Sequence, residues 1–71
     1  MKWTRENDYK LEGLIDNYGL ETVLHQLGIV CIEKSEWARS AYGDKPLERK
    51  WKKRGERLVV MADKIRATEY I

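Results

Sequence analysis

Apolar residues recur along the chain at spacings of three and four, the period of a helix. Leu11, Leu14, Ile15 and Tyr18 form one stripe. Leu20, Val23, Leu24, Leu27, Cys31, Ala38 and Ala41 form a second. Leu47, Trp51, Leu58, Ala62 and Ile65 form a third, with Gly55 on the same side between Trp51 and Leu58. Two breaks separate the stripes: Asn17-Tyr18-Gly19, and Tyr42-Gly43-Asp44-Lys45-Pro46. A glycine just past a helix end can turn left-handed and stop the helix. Asp44 suits a helix N-cap, and Pro46 suits the first turn, where its missing N–H costs nothing. The pattern predicts an all-α chain with helices over about 5–17, 20–42 and 45–67 of a single domain, 1–71. They are expected to form a helical hairpin plus a third helix.

Two segments, GIVCI (28–32) and RLVVM (57–61), are rich enough in β-branched residues to suggest strands. Each lies inside a longer helical pattern, and neither has turn residues on both sides, so the helical reading is preferred. The second helix would be ~35 Å long at 1.5 Å per residue and is expected to be the spine on which the others fold. Gly55 falls inside the third helix, where glycine is disfavoured by ~1 kcal/mol relative to alanine. Close approach of another helix would explain it, and so would tolerated sequence drift.

Size changes the picture. Seventy-one residues make one domain, and a core this small rarely supplies more than ~3–5 kcal/mol. Cys31 is the only cysteine, so no disulfide can staple the monomer. Regular helix packing and oligomerisation remain. The apolar surface on offer exceeds one small core: Ile29 and Ile32 point to a second side of helix 2, near His25 and Glu36. Trp37 lies off the main stripe, and Val59, Val60 and Met61 make helix 3 apolar nearly all round. A homo-oligomer is therefore expected, with Ile29, Ile32, Trp37 and Val60 as the candidate partner surface. A lone thiol and a polar start, MKWTREND, fit a cytoplasmic protein without a signal peptide. No run reaches the ~18 apolar residues of a membrane span, and no membrane role is expected.

The net charge of +2 is unevenly spread. Residues 1–44 hold five bases and eight acids, a net of −3. Residues 45–57 hold seven bases and two acids, a net of +5, and residues 58–71 are neutral. Asp8, Glu12 and Asp16 form an acidic ladder at i, i+4, i+8. On the third helix Arg49, Lys50, Lys53, Arg57 and Lys64 form a basic stripe opposite Trp51, with Val60 in its middle. Such a stripe is the footprint of a phosphate-backbone binder. It is equally the solvated face of a helix, or a counterpart for the acidic ladder of another subunit. No nucleic-acid recognition motif accompanies it. A helix–turn–helix needs a short second helix, and helices 2 and 3 are both long.

No catalytic constellation appears. His25 and Cys31 are six apart and roughly 120° out of phase on one helix, which suits neither a shared metal nor a nucleophile–base pair. There is no glycine-rich phosphate loop and no serine nucleophile motif. A non-enzymatic chain without cofactor or metal is expected.

The segments LEGLIDNYGLETVLHQL (11–27), C-x-E-K-S-E (31–36) and R-S-x-x-x-D-x-x-L-x-x-x-W (39–51) resemble a family of very short proteins encoded by bacteriophages and bacteria. The likeness runs from about Leu11 to Ile65. It implies a phage-type accessory protein in a bacterial host cytoplasm and lends no catalytic residues; with the apolar surface above, the leading expectation is that it engages a host or phage protein. Asp16, Gly19 and Asp44 would be its structural elements. Relatives are alanine-rich around Trp51, so the run RKWKKR (49–54) is a departure that sets the basic stripe apart from any shared role.

Overall fold

The computed structural model describes residues 2–69. Three helices account for nearly all of them: α1 (Arg5–Tyr18), α2 (Leu20–Tyr42) and α3 (Lys45–Glu69). All three match the predicted elements, and no strand occurs among the described residues.

Local chemistry sets each boundary. At the start of α1 the Thr4 N–H and Oγ1 both donate to Asn7 Oδ1, at 3.1 and 2.8 Å. This ties down an end that would otherwise leave donors unmet. Trp3 Nε1 donates to Asp8 Oδ1 across the same turn, at 2.7 Å. Between α1 and α2 stands a single residue, Gly19, at φ 87 and ψ 151. Between α2 and α3 Gly43 is left-handed, at φ 59 and ψ 26. The N–H groups of Gly43 and Asp44 donate back to Arg39 O and Ala38 O. Asp44 Oδ1 then accepts from Leu47 N–H at 3.0 Å, capping α3 as its position predicts. Arg39 and Glu48 add an ion pair of 3.6 Å across this turn. It is open to solvent and contributes little.

The turn lays α3 back along α2, and this hairpin carries nearly all the packing between helices. Its centre is a crossing of two glycines. A Cβ on Gly28 would stand 2.8 Å from Gly55 O and 2.7 Å from Val59 Cγ2. A Cβ on Gly55 would stand 2.7 Å from Gly28 O and 2.8 Å from Ile32 Cγ1. The helices therefore touch backbone to backbone, which explains a glycine inside each. Around the crossing Ser35, Ala38 and Ala62 are buried. Ser35 Oγ donates to Ile32 O at 2.6 Å, so its hydroxyl is satisfied within its own helix. Trp51 covers the side of the hairpin, with Lys34 Nζ and the Arg54 guanidinium each 5.3 Å from its ring centre.

The predicted inner face of α2 needs correction. Leu20, Leu27 and Ala41, assigned to the core, are exposed, and Ile32, assigned to a second side, packs on Gly55. The buried face is centred on Gly28, Ser35 and Ala38. Glycine and serine leave no mark in a hydrophobic pattern, so the stripe drawn through the leucines sits rotated from the true contact. The inner face of α3 is as predicted: Gly55 and Ala62 are buried, and Leu47, Trp51, Leu58 and Ile65 are half-buried.

α1 departs most from expectation. It meets α2 only sparsely and nowhere approaches α3. None of its residues is buried. The molecule is a slab of 41 × 33 × 14 Å, with a radius of gyration of 14.3 Å. A compact chain of this length would have about 11 Å.

Candidate functional site

α2 presents two apolar faces. One receives α3 through Gly28. The other lies about 180–260° round the helix from Gly28 and carries Val23, Leu27, Val30 and Trp37. Nothing in the described chain covers this back face along most of its length. Where α1 diverges from α2, the stripe Leu11, Leu14, Tyr18 faces Val23, Leu27 and Val30 across an open groove of about 440 Å³. Thr22 and Gln26 border it, but its exposed wall is entirely apolar. Leu14 is 45% exposed, Leu27 43% and Tyr18 62%. An apolar surface so open to water marks a site of contact rather than a finished core.

The outer face of α3 is a second surface. Lys53, Arg57 and Lys64 surround Val60 and Met61 in a shallow depression, with Glu56 at its edge. Arg49 and Lys50 continue it toward the start of the helix, and all five cations are exposed. The two ion pairs found among the described residues, Arg39–Glu48 and Asp63–Arg66, use none of them. The stripe is thus as the sequence predicts: one-sided, outward, and interrupted by a half-exposed valine.

The four residues expected to form a partner surface do not come together. Ile32 is inside the hairpin, against Gly55. Ile29 is half-buried. Trp37 stands on the back of α2, edge-on to Tyr42 at 4.9 Å, beside Val30, Glu33 and Lys34. Val60 is on the far side of α3. The face missed in their place is the α1–α2 groove. Its signal was present as a helix apolar on two sides between Leu24 and Ile32, but the pattern does not say which side α3 takes.

Cys31 is half-buried, and its Cβ lies against the Gly55 position. His25 is half-buried, and its Nδ1 has no hydrogen-bond partner among the described residues. No group of three or more His, Cys, Asp or Glu among the described residues is placed to hold a metal. Among the described residues no helix is long and apolar enough to cross a membrane. No family model, curated protein or solved structure matches the chain.

Proposed function

We infer that this chain is a small, non-enzymatic accessory protein that acts by protein–protein binding as a helical homo-oligomer. One observation carries this reading: among the described residues no large side chain is fully buried, while thirteen large hydrophobic residues are exposed. With only Ala38 and Ala62 fully buried among its apolar residues, the hairpin has a small core and marginal stability of its own. Burial of the exposed residues against another molecule adds to that stability. The likeness to short phage-encoded proteins supports a setting in a bacterial cytoplasm, with a host or phage protein as the further partner. Light scattering across a concentration series tests the reading. A mass above 8.4 kDa is expected throughout the micromolar range, and a strict monomer at high micromolar concentration would overturn it.

The basic face of α3 favours a second reading, non-specific binding of nucleic acid through Arg49, Lys50, Lys53, Arg57 and Lys64. These cations face outward on one helix and are unpaired among the described residues. A labelled duplex should then bind at ~50 mM salt, weaken steeply as salt rises, and be released by Lys53→Glu with Arg57→Glu. Absence of binding at ~50 mM salt removes this reading.

A further inference from the structure

We propose that the back face of α2, which forms one wall of the α1–α2 groove, is the seat of α1 from a second copy of this chain. The two copies form a two-fold dimer in which each α1 lies along the back face of the other's α2. This rests on the self-association inferred above and names its surface and geometry.

Area is the first support. A folded monomer of 8.4 kDa exposes about 4,600 Å² by the scaling of surface with mass. This chain exposes 6083 Å². Joining two copies into a body with the surface of a folded protein of twice the mass removes about 4,500 Å² in total. That lies within the ~2,000–5,000 Å² of obligate homodimers and well above a weak encounter. The slab shape agrees: domains need two layers of secondary structure around a core, and here a second layer is missing on the groove side.

Self-complementarity is the second. A two-fold interface uses the same patch on both chains. Leu11, Leu14 and Tyr18 of α1 form one apolar wall, the insert, and Val23, Leu27 and Val30 of α2 form the other, the seat. One surface thus supplies both insert and seat.

Charge decides the arrangement. Asp8, Glu12 and Asp16 run beside the stripe on α1 and are exposed. Two α1 helices laid side by side would bring these ladders together, and like charges at such spacing repel. On the back face of α2 only Glu33 and Lys34 flank the apolar residues, one of each sign. α1 carries two bases against four acids, so this near-neutral face receives it with less repulsion than a second α1 would.

Leu14→Glu and Leu27→Glu test the proposal. Both positions are nearly half exposed in the single chain, so the hairpin tolerates the change and helicity by circular dichroism should persist. Each substitution acts twice in a two-fold dimer, so each should weaken dimerisation by about a hundredfold or more. Val60→Glu, on the far side of α3, should leave the dimer intact. A second measurement does not depend on those variants folding. In a Cys31→Ser background, chains carrying Leu14→Cys are mixed with chains carrying Leu27→Cys and oxidised. A mixed disulfide dimer should form in preference to Leu14→Cys homodimers, and Val60→Cys should give neither. A wild-type chain that is monomeric overturns both the self-association and this inference. An oligomer that survives both glutamates and gives no mixed disulfide overturns this inference alone.

Discussion

Gly55→Leu is expected to abolish the α2–α3 hairpin, and Gly55→Ala to destabilise it by up to about 2 kcal/mol. Two effects of opposite sign compete in the alanine variant. Alanine is the better helix former by about 1 kcal/mol. Against this, its Cβ would stand 2.7 Å from Gly28 O, a backbone atom that cannot move unless its helix moves. Overfilling a packed contact costs about 1–3 kcal/mol, and here Ile32 and Cys31 close the remaining directions. The collision therefore outweighs the gain. Leucine adds three carbons to the same space, and its cost exceeds the whole stability that a core of this size provides. At fixed protein concentration, Gly55→Ala should lower Tm by roughly 4–8 °C per kcal/mol lost. Gly13→Ala is the control. Nothing stands within 4 Å of a Cβ there, so α1 should gain about 0.5–1 kcal/mol from helix propensity alone. Thermal unfolding followed by circular dichroism reads both. If the two alanines stabilise alike, the helices do not cross as closely as described.

The same glycines mark where sequence reasoning succeeds and where it stops. Helix ends are legible because their chemistry is local: Asp44 caps the helix that begins at Lys45, and Gly43 is left-handed where the chain must turn. The inner face of α3 is legible because Leu47, Trp51, Leu58, Ala62 and Ile65 recur on one side along the whole helix, whereas the outer side is basic and apolar only locally, at Val60 and Met61. α2 is different. It is apolar on two sides, and periodicity gives both without ranking them. The choice is made by Gly28, whose absent side chain lets α3 approach and which a hydrophobic pattern does not register. With α3 drawn to Gly28, Ile32 faces inward and the leucine side of α2 is left open to another partner. For α1 the stripe itself is legible. How little of it α2 covers is not, because the angle at which α1 leaves α2 depends on the backbone of one residue, Gly19.

That residue is the second place where a small change should have a large effect. At φ 87 and ψ 151, Gly19 occupies a region that side chains essentially never adopt. Gly19→Ala should therefore cost about 1–3 kcal/mol, or force α1 to leave α2 at a different angle. Steric relief is available for the side chain nearby, since the Cβ would meet only the mobile Glu21 carboxylate, but not for the backbone. The damage should be local. α1 is held to α2 sparsely and to α3 not at all, so the α2–α3 hairpin does not depend on it. Hydrogen exchange should show α1 amides losing protection while α2 and α3 keep theirs. The groove is a different matter. Its two walls belong to the helices that Gly19 joins, Leu11 and Leu14 on one and Leu27 and Val30 on the other. Turning α1 misaligns wall and insert at once in both copies of a two-fold dimer. Dimer dissociation should then rise by about tenfold for each 1.4 kcal/mol of strain, to a hundredfold at the upper end of the range. A variant that loses α1 protection yet dimerises as the wild type does would show that α1 lies outside the interface. A variant that loses both, with the hairpin still protected, ties the geometry of a single glycine to assembly.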